Sequence, residues 1–343
     1  MFTFGSVVYS VNCAEKHEPI KSIHVGVGGR GVWPIDLAAD DENWQPVALV
    51  DINEEFLRRA RERTGLDKSA CFSSLEEAAR QVEADAAIIC TPTVMHAPFA
   101  QIGFAAGLAV LVEKGMTTDL GKAKNLVKEA EERGLAFCVA QNYRFQSVEQ
   151  TVKHHLDDQM YGKPAIVDLF HHRYRPNPRT LNYPNAMVWD MSCHHFDNLI
   201  FWLGKAKTVI ARTYNPPWSR YEYDSGVTAI IEFESSIICN YCLTHCAQNG
   251  FYHLLMQTDA GTLRAYDVSG IEFQPIGKER QSIQLLSVPS SEQSVLNAFR
   301  DYIRQGIEPG ISGRNNLNVM ALCQAVCVSA EKGKPVTVAE LLD

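Results

Sequence analysis

The chain has no apolar run long enough to cross a bilayer, which takes about twenty such residues. It also has no basic excess. Its 32 Lys and Arg face 40 Asp and Glu, giving a net charge of -8 and a pI near 5.8. That excludes the electrostatic footprint of a nucleic-acid binder, although a local basic patch can still serve a small anion. Met1 to Ile20 has no basic start, long apolar centre or twin arginine, and Asn12, Glu15 and Lys16 interrupt it. It reads as a short extension rather than a signal peptide. The ten cysteines lack the spacing of a disulfide framework, which predicts reduced thiols and a cytoplasmic location. No internal repeat or low-complexity stretch interrupts the 343 residues, a length that predicts two domains. An apolar fraction of 46% and a charged fraction of 21% are those of a soluble globular protein.

What the sequence does contain begins at Ile23. Ile23, Val25 and Val27 alternate as in a strand and run into Gly26-x-Gly28-x-x-Gly31, the spacing of a dinucleotide-binding turn between strand and helix. The first glycine permits the tight turn and the second the close approach of a pyrophosphate. The third lets helix and strand pack, with the helix N-terminus facing the phosphates. A second apolar run, Val47 to Val50, ends on Asp51, about twenty residues past the last glycine, where an acid holds the ribose hydroxyls.

Beyond Asp51, helical stripes alternate with buried strands as far as Ala140. Asn53 caps a helix that stops at Gly65, and strands end at Thr91, at Glu113-Lys114 and before Asn142. This predicts a doubly wound parallel Rossmann sheet over residues 21–142, after the extension 1–20. Gly28, Asp51, Thr91, Lys114 and Asn142 then share the ligand-facing edge. From residue 143 to 343 strands joined by short turns dominate, followed by amphipathic helices at Val295 to Arg304 and Leu317 to Ala330. They predict an α+β domain whose large open, mostly antiparallel sheet binds substrate on one side. Its exposed face needs covering by another subunit, as in a homodimer or homotetramer.

These residues resemble the Gfo/Idh/MocA family, that of glucose-fructose oxidoreductase and inositol dehydrogenase. The resemblance rests on the glycine motif, on Cys90-Thr91-Pro92-Thr93-Val94-Met95-His96-Ala97-Pro98, and on Glu113-Lys114-Gly115. Asn142-Tyr143-Arg144-Phe145, Asp190-Met191-Ser192-Cys193-His194-His195-Phe196-Asp197 and the tail from Gly313 to Val336 extend it. It departs from the family where Gly115 replaces a proline, and where Met187-Val188-Trp189 and Ser192 replace glycines. The resemblance implies hydride transfer between a nicotinamide cofactor and a carbinol of a sugar, sugar acid or cyclitol. It implies cofactor contacts by Gly26, Gly28, Gly29, Arg30, Gly31, Asp51, Thr91, His96, Glu113, Lys114 and Asn142. It also implies that Lys114 orients the substrate hydroxyl and helps move its proton, with Asp190 and His194 completing the relay. Tyr143 and His253 enter the pocket wall by approximate position only.

The chemistry has a reading of its own. Oxidising a carbinol requires the hydroxyl proton to leave, so a base or relay sits at that oxygen. Asp190 and His194 are four apart on an expected helix, roughly 6 Å along one face, where a carboxylate would favour the protonated imidazole. The alternative is an exposed helical ion pair. His171-His172-Arg173-Tyr174-Arg175-Pro176-Asn177-Pro178-Arg179 is either a solvated basic loop or, with Arg173 and Arg175 on one strand face, a site for an anionic sugar. Cys239, Cys242, His245 and Cys246 cluster, but residues three apart on a strand face opposite ways, so no metal is expected. Asp51 favours NAD, while Arg30 and Arg58 leave NADP open. Three functions remain: a sugar or cyclitol dehydrogenase or reductase, an NAD-dependent glycosidase working by transient oxidation, and a non-catalytic dinucleotide sensor.

Overall fold

The computed structural model describes residues 18–179, 181–267 and 270–342. Residues 1–17 of the expected extension lie outside them, and the first strand already begins at Ile20. Six parallel strands form one sheet: β1 (Ile20–Val25), β2 (Trp44–Val50), β3 (Cys71–Phe72), β4 (Ala86–Ile89), β5 (Ala109–Val112) and β6 (Phe137–Val139). Between them run α1 (Val32–Asp40), α2 (Glu54–Thr64), α3 (Leu75–Gln81), α4 (His96–Ala105) and α5 (Leu120–Glu132). β4 and β5 are buried along their whole length, as strands covered by helices on both faces must be. Asn53, Ser74 and Asp119 accept from the free amides at the starts of α2, α3 and α5, and Gly65 closes α2 with φ 72°. The order β3-β2-β1-β4-β5-β6 reverses at β1, which opens a crevice beyond the carboxyl ends of β1 and β4.

A connecting helix α6 (Ser147–Asp157) leads to the nine-stranded sheet. In chain order this contains β7 (Pro164–Tyr174), β8 (Ala206–Tyr214), β9 (Gly226–Phe233), β10 (Ile238–Thr244) and β11 (Cys246–Thr258). It continues with β12 (Gly261–Asp267), β13 (Gly270–Pro275), β14 (Gln281–Ile283) and the late β15 (Val336–Thr337). Its pairings are antiparallel except that β7 and β10 run parallel. β7 runs on past Phe170, so His171 to Tyr174 belong to the sheet rather than to a loop. β13, β14 and β15 are not foreseen in the sequence, the last two being too short to carry a pattern.

α7 (Cys193–Leu203) and α9 (Gly313–Lys332) cover one face, packing Phe196, Leu199, Val319 and Leu322 with Val209, Ile231 and Tyr241. α8 (Ser291–Gln305) turns back to the first sheet, where Phe299 stacks on Trp44 with ring centroids 5.9 Å apart. The other face of the large sheet is open and carries exposed Ile166, Ile210, Ile230 and Ile238. No helix among the described residues is long and apolar enough to cross a membrane.

The glycine turn has no slack. Gly26 sits at φ 78°, and a Cβ on Gly31 would lie 1.8 Å from the Gly26 carbonyl oxygen. Gly31→Ala is therefore expected to destabilise the chain by about 2 kcal/mol or more, the overpacking range, seen as a lower urea midpoint. An unchanged midpoint would show that the turn can relax.

Candidate active site

Beyond β1 the chain turns at once, and the Gly26 amide donates to the Val50 carbonyl at 2.8 Å. Asp51 follows β2, and its carboxylate accepts from the amides of Val27 and Asn53, both at 2.9 Å. The acid is thus tied to the glycine loop that it must serve. A cavity of about 1270 Å³ starts here and is lined by Gly26, Gly28, Gly29, Arg30 and Asp51. It continues past Thr91, Glu113 and Lys114 to Asp190, Arg175 and His245. One expectation is corrected: the space above Gly28 is not open. A Cβ there would lie 2.2 Å from the Phe56 ring, which packs against the glycine. The obstacle is a side-chain ring on α2 rather than backbone, and Gly26, Gly28, Gly29 and Asp51 still line the cavity.

Glu113 is a bracket at the end of β5. Its buried carboxylate accepts from Arg30 Nε and Trp33 Nε1, each at 2.9 Å, and from the Lys114 amide at 3.0 Å. Lys114 Nζ then donates to the main-chain carbonyl of Asp190 at 2.7 Å, joining the two halves of the chain. The Asp190 carboxylate accepts from Tyr183 Oη at 2.7 Å and from the Thr93 hydroxyl.

The expected pairing of Asp190 with His194 is not found. Met187–Ser192 forms a π-helical turn before α7, and the Asp190 carboxylate on it is taken by Thr93 and Tyr183 instead. His194 is buried against Tyr143, their rings stacked with centroids 3.9 Å apart at 7°. Its Nδ1 has no hydrogen-bond partner. Burial first, and then the Lys114 charge, hold this imidazole well below its ordinary pKa. That environment works against the protonated form expected. Asp197, one turn on, instead forms a buried fork with Arg144, with Nε to Oδ2 at 2.7 Å and Nη2 to Oδ1 at 2.5 Å.

The other expected site residues divide. Gly26, Gly28, Gly29, Arg30, Asp51, Thr91, Glu113, Lys114, Asp190 and Arg175 all line the cavity. Gly31, His96, Asn142, Tyr143, Arg173, His194 and His253 do not. Gly31 packs under the Gly26 carbonyl. His96 is fully buried, with Nδ1 2.7 Å from the Gly115 carbonyl and Nε2 2.8 Å from that of Thr91, so it ties strand ends together. The Asn142 amide reaches Ser291 and Glu292 at the start of α8. His253 faces away because strand alternation puts it beside Phe170 and Tyr266 on the open side of the sheet. Tyr183, Tyr221, His245 and Arg179 line the cavity without having been singled out for it. For His245 the available signal was a single residue between two strands, weighed only as a metal ligand. Cys239 is buried on β10 and Cys242 half-exposed, on opposite faces as their spacing requires.

Comparison with known proteins adds to this geometry. Residues 21–141 match the family model for Gfo/Idh/MocA oxidoreductases with an NAD-binding Rossmann fold. Residues 150–264 match the Gfo/Idh/MocA C-terminal domain. D-apiose dehydrogenase of Paraburkholderia graminis is 26% identical over 332 residues, covering 88% of this chain and 85% of that protein. A crystal structure of a putative NADPH-dependent oxidoreductase from Desulfitobacterium hafniense superposes with a TM-score of 0.86 at 18% identity, covering 95% of this chain and 100% of that one. An oxidoreductase from Agrobacterium radiobacter, crystallised with NAD+, L-tartaric acid and magnesium, gives a TM-score of 0.83 at 19% identity, covering 94% and 99%.

The buried imidazoles make stability depend on pH. Burial is the first cause that depresses His24 and His171 to about 4, His245 to about 3, and His194 and His195 well below the ordinary value. In the unfolded chain these groups titrate near 6.5. As pH falls from there toward about 4, the unfolded state takes up protons that the folded state refuses. Stability is therefore full above about pH 7 and falls with acidification, each group contributing up to about 1.4 kcal/mol per pH unit. Urea midpoints measured from pH 7.5 to 5 should drop steeply. A flat profile would mean that the imidazoles are protonated in place.

Proposed function

The chain belongs to the Gfo/Idh/MocA oxidoreductase family, and from that premise we propose that it transfers a hydride between NAD and a carbinol carbon of a sugar, sugar acid or cyclitol. The observation that carries this is the Lys114 ammonium seated on the Asp190 carbonyl, at 2.7 Å, in the cavity that begins at Asp51. The bound nicotinamide supplies the hydride acceptor or donor. Asp51 holds the ribose hydroxyls, the turn at Gly26 to Gly29 faces the pyrophosphate, and Thr91 and Glu113 line the path toward Lys114.

Lys114 holds the reacting oxygen and moves its proton. Asp190 anchors that lysine through its carbonyl, while Thr93 and Tyr183 occupy its carboxylate. His194 stacks on Tyr143 and, like it, does not line the cavity. NAD is preferred over NADP because Asp51 repels a 2′-phosphate and the nearest cations are engaged. Arg30 pairs with Glu113, and Arg58 with Glu55 and Glu62. The sugar-directed name of the Paraburkholderia relative supports a polyhydroxylated substrate. The exposed isoleucines of the open sheet, spread over β7, β8, β9 and β10, support the reading that a second copy of the chain covers that face.

Incubation with NAD and a panel of polyols, acid sugars and glycosides should raise the absorbance of reduced cofactor. Lys114→Met should lower kcat by about 100-fold or more while leaving NADH binding intact. Sugar release without net reduction would instead favour the redox-neutral glycosidase, and ligand binding with neither would favour a sensor. Ile230→Glu should convert a dimer or larger assembly to monomer in analytical ultracentrifugation, and an unchanged mass would remove the open face from the interface.

A further inference from the structure

We propose that the end of the cavity nearest β7, β10 and β11 is a subsite for an anionic, hydroxylated substrate. Arg175 and Arg179 take a carboxylate or phosphate, and His245 Nε2 accepts from a neighbouring substrate hydroxyl. The proposal rests on the hydride-transfer reading for what occupies the rest of the cavity.

The first support is a tautomer argument. The Arg175 amide donates to the His245 carbonyl at 2.8 Å, which holds the two residues side by side at the mouth of the sheet. Tyr221 Oη lies 2.9 Å from the Arg175 carbonyl and 2.9 Å from His245 Nδ1. A hydroxyl has one hydrogen and a carbonyl can only accept. Tyr221 therefore donates to Arg175, and Nδ1 must carry the proton that it donates to Tyr221. The lone pair of the ring is then on Nε2. That atom is buried and has no partner in the chain, although His245 lines the cavity. A buried acceptor left unpaired in a cavity wall calls for a donor from the ligand. Burial, reinforced by Arg175 and Arg173, depresses this imidazole to about 3, so the lone pair persists throughout the neutral range.

The second support is uncompensated charge. Arg30, Arg58, Arg63, Arg144, Arg280 and Arg300 each meet a carboxylate, and Arg61, Arg80, Arg212 and Arg304 donate to main-chain or amide oxygens. Among the described residues no carboxylate partner meets Arg173, Arg175 or Arg179, though they lie within seven residues of one another. Arg175 and Arg179 are exposed where they line the cavity, so an anion can reach both, and the neighbouring Arg173 charge favours its arrival. The acids lining the cavity cannot be that counter-ion: Glu113 is held by Arg30, Asp190 by Thr93 and Tyr183, and Asp51 by the loop amides. A guanidinium fork matches a carboxylate or phosphate, and the adjacent Nε2 acceptor selects ligands bearing a hydroxyl beside the anionic group. Arg173, which does not line the cavity, adds field rather than contact.

The test is calorimetric titration of the NADH-loaded protein with D-gluconate, D-glucuronate and D-glucose 6-phosphate against D-glucitol and D-glucose. At least one anion should bind ten-fold or more tightly than its neutral counterpart, and the carboxylates and the phosphate separate the two sources of charge. R175Q should abolish that preference while NADH still binds, which certifies its fold. R179Q provides the same readout if R175Q does not load cofactor. H245F should weaken anionic and neutral ligands alike, by five-fold or more. Equal binding of every anion and its neutral partner, or a preference that survives both arginine variants, overturns the subsite. Failure of NADH to bind the unmodified protein would instead overturn the hydride-transfer reading, and the same titrations without cofactor would still decide the subsite.

Discussion

The structure depends on one ammonium placed between two sheets. Lys114 leaves the end of a buried parallel strand, and its charge would be costly there without an oxygen to receive it. The Asp190 carbonyl is that oxygen, in a segment 76 residues further on. Holding it there requires two fixed ends. On the nucleotide side Glu113 gathers Arg30, Trp33 and the Lys114 amide around a single buried carboxylate. On the other side Asp190 is pinned through Thr93 and Tyr183, so the carboxylate orients the turn and the carbonyl meets the lysine. The glycine loop, the end of β5 and the turn before α7 are therefore linked by one chain of hydrogen bonds.

Much of the first sheet was legible because its signals are local. Asn53 at the start of α2 and Gly65 at its end each act within a few residues of their own position, and each caps the helix as expected. Fully apolar strands such as Ala109–Val112 announce a sheet covered on both faces. The cavity-lining part of the cofactor set was legible for the same reason, since strand ends of a doubly wound sheet share an edge.

What was not legible depends on contacts far apart in the chain or on winding that no period reveals. Phe56 covers Gly28 from the next helix, a packing choice invisible in the glycine motif. The partners of Asp190, Thr93 and Tyr183, lie outside α7, so nothing in its four-residue spacing to His194 showed that the two would not bond. His253 was placed by approximate position, and one step along β11 separates the inner face from the open one. Tyr183 and His245 come from connections between elements, where periodicity is silent. They reach the site only because Asp190 and Tyr221 receive them.

A crystal structure of the protein with NADH tests the central placement most directly. The adenosine ribose should lie on the Asp51 carboxylate, the Phe56 ring should have swung off Gly28 to admit the pyrophosphate, and the nicotinamide should face Lys114 within hydrogen-bond reach of a substrate oxygen. NADH seated elsewhere, or Phe56 still covering Gly28 with the Asp51 end of the groove unvisited, would contradict the assignment of this cavity to the dinucleotide and with it the role given to Lys114.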